Sequence, residues 1–429
     1  MILANGKIYD SSEQNAVLDR LEAEINNTRA GLVLDVETVI SAADTLGKKI
    51  ADGEFNNIIL EFLGDTPDEY LKLAANFMNA ANLRFRLNME LAENISAGHT
   101  ITPPYGLKQA AVKLMPLGTL FHIAAGNMDG LPAFSVLEGL LTGNVNILKL
   151  PQADNGLTIE IFRKMIEIEP RLAPFIYVFD TPSSDVAAMK KMAEISDGII
   201  VWGGDAAVSA VRALAPMGAK LIEWGHKLGF AYISGYENKD TELSALAKHI
   251  IDTRQLLCSS CQTIFIDTED MADVTNFCRE FLPFLEAAEK DNPITETGAV
   301  AEMSLRRYTE QLEGYIGKKS TDKLIFQGGR CSLTACEDSG LELSYMYGNC
   351  LVKRLPQREI MTVLRQSKGY LQTAGLICTP DKRENLTAIL AKTGVNRIMR
   401  AGNMSVTFCG EAHDGEYPLR RYMRVVNIE

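Results

Sequence analysis

Residues 254–266 read RQLLCSSCQTIFI, two cysteines three positions apart at the entry to a run of strand-forming residues. A Cys-x-x-Cys pair can be a redox disulfide, half of a metal site, or one nucleophile beside a bystander. Each reading demands different company elsewhere in the chain. The run that follows, TIFID, is short, apolar and rich in β-branched residues, which marks a buried strand of a larger sheet.

Outward from this stretch, strands alternate with helices in both directions. Upstream, VKLMPLGTLFHIAA, NVNILKLP, APFIYVFD, DGIIVWGG and GAKLIEW are strand runs separated by helical stretches such as PAFSVLEGLLTG and GLTIEIFRKMIEI. Around Gly225 the alternation restarts with GFAYIS and continues through KLIFQG, NCLVKRL and LQTAGLICT. Such alternation builds βαβ units and mostly parallel sheets, so the fold class is α/β with a domain boundary near Gly225. Residues 14–98 place apolar side chains at three- and four-residue intervals and read as helical, without visible chemistry. The last stretch, RRYMRVVNIE, reads as a terminal strand.

At 429 residues the chain buries a large core and divides into two or three domains. Its 43 Lys and Arg against 55 Asp and Glu give a net charge of −12 with no basic cluster. That argues against nucleic acid and against a membrane surface as partner. The start, MILANGKIYDSSEQN, lacks a basic segment followed by an apolar block and is not a signal peptide. The longest apolar stretch, LMPLGTLFHIAAGN, is broken by Pro116, Gly118, His122 and Gly126 and is too short for a span. A cytoplasmic protein is the expectation. In a reducing compartment the eight cysteines are mostly thiols, which disfavours a structural Cys258–Cys261 disulfide. Cys331 and Cys336 form the other close pair, with no His nearby and poor spacing, so no metal is expected.

Four stretches carry residue types suited to one active site, and each also has an ordinary structural reading. In HIAAGNMDG a strand runs into Gly126, Asn127 and Gly130, placing an amide at the carboxyl end of a parallel strand, where ligands of open α/β sheets bind; Asn and Gly equally build turns. In LTGNVNILKLPQAD, Lys149 is either a snorkelling side chain or a cation aimed at a ribose or phosphate. VWGGDAAV sets Gly203 and Gly204 before Asp205 as the expected helix N-cap, open to a pyrophosphate but lacking the GxGxxG fingerprint. LIEWGHKLGF carries Glu223, 35 residues before Cys258: a base for a nucleophile, or a solvated or ion-paired strand-end residue. His413 and Asp414, in EAHDGEYP, either face an acyl channel or brace the tail.

Taken in order, GNMDG, TGNVNILKLP, VWGG, EWGHK and CSSCQ resemble the aldehyde dehydrogenase superfamily. There an Asn follows the first catalytic-loop strand, a Lys follows TGN, and an E-L-G-G-K type segment precedes the cysteine. Cys258, Ser260 and Gln262 fill the C-x-S-x-Q pattern of its CoA-acylating branch. HKLGFAYIS, LQTAGL, GVNRIMRAGNM and HDGEYPL extend the likeness to the LuxC-type acyl-CoA reductase family of bacterial luminescence operons, over roughly residues 110–429.

The resemblance implies an aldehyde dehydrogenase-like fold: residues 1–225 as a helical segment and Rossmann-like nucleotide-binding domain, 226–405 as an α/β catalytic domain, and 406–429 as a tail with an oligomerisation strand. A homo-oligomer follows from it. It implies Cys258 as thiolate nucleophile with Cys261 a neighbour, Asn127 and backbone N–H groups near Cys258 as oxyanion hole, and Glu223 in the position of the general base. Lys149, Gln152, Gly203 and Gly204 fall against the cofactor. The implied activity is reduction of an acyl-CoA or acyl-carrier thioester to an aldehyde through a Cys258 thioacyl-enzyme, with an acyl-transfer enzyme as partner. NADPH is expected ahead of NADH because Gln152 stands three positions after Lys149, where NAD-preferring relatives often carry an acidic residue. Asp154, two further on, is the carboxylate that could turn back toward that site. The alternatives are an aldehyde dehydrogenase oxidising aldehyde to acid, and a non-catalytic relative in an acyl-transfer complex. Two features depart from the superfamily: Trp224 and His226 stand where E-L-G-G-K forms a small loop, and SYMYGNC offers Tyr345 in place of the Glu that often holds the nicotinamide ribose.

Overall fold

The computed structural model describes residues 1–63, 75–91, 98–106, 109–124, 130–317 and 323–429. The chain divides into two compact units, Met1–Gly225 with Phe408–Glu429, and His226–Thr407. Among the described residues no helix is long and apolar enough to cross a membrane.

In the first unit the strands are β1 (Ile2–Ala4), β2 (Lys7–Tyr9), β3 (His99–Ile101), β4 (Ala110–Pro116), β5 (Thr119–Ile123), β6 (Val145–Lys149), β7 (Ile176–Phe179), β8 (Gly198–Trp202) and β9 (Lys220–Trp224). Seven of them form one sheet in the order β2-β1-β7-β6-β5-β8-β9, parallel from β7 to β9. β6 and β7 are buried along their whole length, as strands covered by helices on both faces must be, and so they read as continuous apolar runs. The winding reverses between β5 and β8, which makes the carboxyl ends of those two strands the crevice where ligands of such sheets bind. β1 and β2 are a hairpin turned at Asn5 (φ 48°) and Gly6 (φ 75°), and β1 extends the sheet antiparallel to β7. The helical periodicity near the N-terminus resolves into Gln14–Gly31, Val36–Ala51, Asn56–Leu63 and Ala80–Leu91.

The second unit holds β10 (Leu228–Ser234), β11 (Cys261–Ile266), β12 (Lys323–Gln327), β13 (Ser332–Cys336), β14 (Asn349–Arg354), β15 (Leu371–Cys378) and β16 (Arg397–Arg400), in the order β12-β13-β14-β11-β10-β15-β16. All neighbours are parallel except β12 with β13. Alternate residues of β10 serve opposite faces. Ala231 and Ile233 pack with Leu246 and Ile250 of the helix Lys239–Asp252 and with Phe277 and Phe281 of the helix Met271–Asp291. Phe230 and Tyr232 pack with Leu386 and Leu390 of the helix Pro380–Thr393.

The chain's last strand, β17 (Met423–Ile428), returns to the first unit and pairs antiparallel with β4, which pairs with β3. A buried polar network ties this tail down. Tyr422 donates to Glu138 Oε2 at 2.8 Å, the Leu419 N–H donates to Glu90 Oε2 at 2.7 Å, and Arg86 bridges both carboxylates. Each buried charge in it has a partner of opposite sign, which is the condition for tolerating such groups in a core.

Candidate active site

Cys258 sits on a turn between the helix Lys239–Asp252 and the start of β11, at the amino-terminal edge of the second unit's sheet. It is exposed and not disulfide-bonded, whereas Cys261 is the first, fully buried residue of β11. The backbone reaches the turn through two successive left-handed residues, Arg254 (φ 51°) and Gln255 (φ 60°). Non-glycine residues there cost about 1–3 kcal/mol each and persist only when surrounding bonds over-determine them. Those bonds are present. The Arg254 guanidinium donates to the Ile251 carbonyl at 2.6 Å and the Pro293 carbonyl at 3.0 Å, and the Tyr347 N–H donates to the Arg254 carbonyl at 3.0 Å.

Ser260 and Gln262 hold this turn. The Ser260 N–H donates to the Leu257 carbonyl and its hydroxyl accepts the Leu257 N–H at 3.1 Å, placing Cys258 at the corner of a closed four-residue turn. Gln262 lies beneath, donating to the Gln255 carbonyl at 2.7 Å and accepting from the Ser344 hydroxyl at 2.7 Å. Gln255 completes the cluster by donating to the Cys261 carbonyl at 2.9 Å and to Ser344 Oγ at 3.0 Å. Gly229 of β10 is where the register with β11 shifts. A Cβ there would lie 2.5 Å from the Ser260 carbonyl oxygen, so only glycine lets the turn approach this closely.

In the first unit, Lys149 ends β6 at the carboxyl edge of the sheet. Its ammonium is largely buried and donates to Ser183 Oγ at 2.8 Å. Burial pushes it below its ordinary value, while the charge of Asp180 acts the other way. Gln152 is exposed and opens a short turn after Pro151. The Asp154 carboxylate accepts the Gly156 N–H at 3.2 Å and the Thr158 N–H at 3.1 Å, so it is committed to the start of the helix Leu157–Ile168. After β8, Gly203 donates its N–H to the Trp224 carbonyl at 3.2 Å, and Gly204, not Asp205, is the N-cap of the helix Asp205–Leu214. No side chain caps that helix, and a Cβ on Gly204 would meet nothing within 4 Å. Asn127 and Gly126 lie outside the described residues.

Glu223 and Trp224 point to opposite faces of β9. Glu223 receives two hydrogen bonds from Arg212 of the helix Asp205–Leu214, at 2.5 and 2.6 Å. Trp224 is buried on the other face against Trp202, with ring centroids 5.4 Å apart, and the His413 ring rests 5.0 and 5.2 Å from the two. Asp414 (φ 49°) and Gly415 (φ 81°) turn the chain back so that the His413 N–H donates to the Glu416 carbonyl. His413 thus braces the tail against the tryptophan pair. Tyr345, in the second unit, is buried with Cys336 and Leu351.

In six of the other thiols burial disfavours the thiolate. Burial pushes Cys278, Cys331 and Cys336 up to about 12 and raises Cys350, Cys378 and Cys409 as well. Among the described residues, Cys336, Asp338 and Glu342 bring ligand atoms within 4.8 Å of one another. A cation already sits there: the buried Lys353 ammonium lies 2.6 Å from each carboxylate.

Ser183, Arg212, Gly229, Gln255 and Ser344 serve these sites without belonging to any sequence motif. None has a local signal, because each contact forms only when separate elements pack.

Comparison with known proteins gives the family and the fold. Residues 33–425 match the family model described as acyl-CoA reductase (LuxC). The long-chain acyl-protein thioester reductase of Vibrio harveyi is 22% identical over 414 residues, covering 92% of this chain and 83% of the relative. Long-chain acyl-protein thioester reductase 2 of Photobacterium leiognathi is 23% identical over 418 residues, with 92% and 83% covered. Among solved structures, aldehyde dehydrogenase 21 of Physcomitrella patens superposes with a TM-score of 0.73 at 12% identity, over 98% of this chain and 90% of that one. The NADP-dependent glyceraldehyde-3-phosphate dehydrogenase of Bacillus halodurans, solved with NADP, gives 0.70 at 15% identity, over 100% and 98%. The fold is that of the aldehyde dehydrogenases.

Proposed function

The chain belongs to the acyl-CoA reductase (LuxC) family of oxidoreductases, and on that premise we propose that it reduces a long-chain acyl thioester to the aldehyde through a covalent Cys258 intermediate. The observation that carries this reading is the contrast among thiols: Cys258 is exposed at the corner of a doubly closed turn, while burial raises most of the others.

The Cys258 thiolate attacks the thioester carbonyl, the new C–S bond forms, and the donor thiol leaves when the tetrahedral species collapses. Backbone N–H groups near Cys258 are suited to the oxyanion formed on the way, and the family resemblance alone adds the Asn127 amide to that task. A reduced nicotinamide, when bound, would supply the hydride that the thioacyl carbon needs to leave as aldehyde and return the Cys258 thiolate. The first unit offers features that fit such a cofactor: an uncapped helix start behind Gly204, open to a pyrophosphate, and the Lys149 ammonium at the end of β6 for a ribose or its phosphate. Gln152, three positions after Lys149, puts a neutral amide where a carboxylate would repel a 2′-phosphate, which favours NADPH over NADH. The donor thioester is an acyl-CoA or an acylated partner protein. Self-association through the outer edge of β17, where Val425 and Ile428 are exposed, completes the reading.

Intact mass after incubation with hexadecanoyl-CoA, without cofactor, tests it. An acyl adduct is expected on the wild type and on Cys261→Ser, and none on Cys258→Ala. An adduct that survives in Cys258→Ala and disappears in Cys261→Ser would overturn the assignment.

A further inference from the structure

Two loops meet at the amino-terminal edge of the second unit's sheet. One, residues 254–260, carries Cys258 into β11; the other, residues 344–348, leads into β14. β11 and β14 are parallel neighbours, so the segments entering them lie side by side. Each loop contains two successive left-handed residues that are not glycine: Arg254 (φ 51°) and Gln255 (φ 60°) in the first, Met346 (φ 59°) and Tyr347 (φ 47°) in the second. Backbone of this kind relaxes unless its neighbours hold it, and here the two loops hold each other, the Tyr347 N–H donating to the Arg254 carbonyl at 3.0 Å.

The Ser344 hydroxyl is the junction between them. It accepts the Met346 N–H at 3.0 Å from its own loop and Gln255 Nε2 at 3.0 Å from the cysteine loop, and it donates to Gln262 Oε1 at 2.7 Å. That uses its one proton and both lone pairs. Gln262 donates in turn to the Gln255 carbonyl at 2.7 Å, which closes a ring through Gln255, Ser344 and Gln262. All three side chains are buried, where a group that loses its partner has no bulk water to turn to. The Ser344 loop is the fixed member of the pair. Asn349 donates to the Met346 and Tyr347 carbonyls at 2.8 and 3.0 Å, and the buried Arg307 donates to Asn349 Oδ1 at 2.6 Å. The cysteine loop, with Leu256, Leu257 and Cys258 exposed, is the member that shifts when the link breaks.

We propose that Ser344 is a positioning residue for acyl transfer to Cys258: its hydroxyl clamps the left-handed Gln255 and so sets how the turn presents the thiol. This rests on the Cys258 thioacyl reading above. Attack on a thioester needs the thiolate aligned with a carbonyl carbon, whereas a small alkylating reagent approaches an exposed thiol from many directions. Loss of the clamp therefore separates the two reactions.

The experiment reads both by intact mass: single-turnover acyl transfer from hexadecanoyl-CoA without cofactor, and alkylation by iodoacetamide. In Ser344→Ala acyl transfer at saturating thioester should fall about tenfold, while the half-saturating concentration and the alkylation rate stay within about twofold of wild type. Gln255→Ala removes the same link from its other end and also the bond to the Cys261 carbonyl, so it should fall at least as far. The double variant should lose little beyond Gln255→Ala, because both changes break one link. Alkylation confined to the thiols that react in the wild type shows that the fold is intact; if Ser344→Ala exposes buried thiols, Gln255→Ala gives the comparison. Unchanged acyl transfer in Ser344→Ala, acyl transfer and alkylation falling together, or losses that multiply in the double variant would overturn the proposal and leave the thioacyl reading intact. A wild type that never acquires the acyl mass would overturn both.

Discussion

Ser260 closes the turn at Cys258 from both sides, donating its N–H to the Leu257 carbonyl at 3.0 Å and accepting the Leu257 N–H on its hydroxyl at 3.1 Å. The serine of C-x-S-x-Q is therefore a brace and not a reacting group. In Ser260→Ala the backbone bond remains and the Leu257 N–H loses its side-chain acceptor. The expected cost is about 1 kcal/mol of stability. Acylation should slow severalfold, because the thiol is less well placed. Urea unfolding and the single-turnover rate of acyl transfer measure the two effects.

Two glycines make opposite predictions. In Gly229→Ala the new methyl meets the Ser260 and Ser259 carbonyl oxygens at 2.5 and 2.9 Å, backbone atoms with little room to yield. Overpacking of this kind costs about 1–3 kcal/mol, and it should displace the turn that carries Cys258. In Gly204→Ala the methyl meets nothing within 4 Å and φ is −72°, so the melting temperature should not move. If a pyrophosphate approaches this helix start, KM for the nicotinamide should nonetheless rise, by about tenfold for one weakened charged hydrogen bond. A fall in melting temperature for Gly204→Ala, with KM unchanged, would remove Gly204 from the cofactor site.

Much of the fold is legible in the sequence because buried parallel strands are continuous apolar runs; β6, β8, β10 and β11 announce themselves this way. The hairpin of β1 and β2 carries the signal of Asn5-Gly6 between ILA and KIY, yet its pairing with β7 joins residues some 175 positions apart and has no local signature. β13, as SLTAC, is too small and mixed to stand out. Around Gly204, an Asp before an apolar helix suggests an N-cap, but the chain enters the helix one residue earlier, leaving Asp205 in the first turn where its charge meets the helix dipole. The proposed nucleophile, Cys258, is legible as a cysteine in a motif just before a strand. What restrains Glu223 is not, since nothing in the spacing of Arg212 and Glu223 marks a pair that exists only once helix and strand pack.

Two buried histidines predict how stability depends on pH. His122 is fully buried: its Nε2–H donates to Asn146 Oδ1 at 3.1 Å, and its Nδ1 accepts from the Ser135 hydroxyl at 2.7 Å. The direction follows from the neighbours, because the Asn146 amide nitrogen donates to the Asn144 carbonyl and the Trp202 indole donates to Ser135 Oγ. A neutral ring fits, and burial lowers His122 to about 4; burial also lowers His249 to about 4, against the pull of Asp252. Below pH 6.5 the unfolded chain takes up protons that the native state refuses, so stability falls with pH from there to about pH 4 and then levels off. Between pH 7 and 5 the loss should be on the order of 2 kcal/mol per histidine. Urea midpoints across this range check it, and His122→Gln should flatten the slope; an unaltered slope would assign the dependence to other groups.

The proposed preference for NADPH rests on Gln152, exposed at the turn that follows Lys149 and Pro151. Asp154, the nearby carboxylate that could oppose a 2′-phosphate, is spent on the Gly156 and Thr158 N–H groups. Lys149, partly desolvated and hydrogen-bonded to Ser183, supplies positive charge at the strand end. The wild type should therefore use NADPH with the higher kcat/KM. Gln152→Glu adds a charge of the same sign as the phosphate at a solvated position, where repulsion amounts to about 1 kcal/mol at 4 Å in bulk water and more as water is excluded. That corresponds to roughly a fivefold to tenfold loss of kcat/KM with NADPH. NADH, lacking the phosphate, should be spared, and a carboxylate able to accept from ribose hydroxyls should help it. Measuring both cofactors on both proteins gives the comparison. A wild type that prefers NADH, or a Gln152→Glu variant whose ratio does not move, would show that the adenosine ribose lies elsewhere along the carboxyl edge of β6.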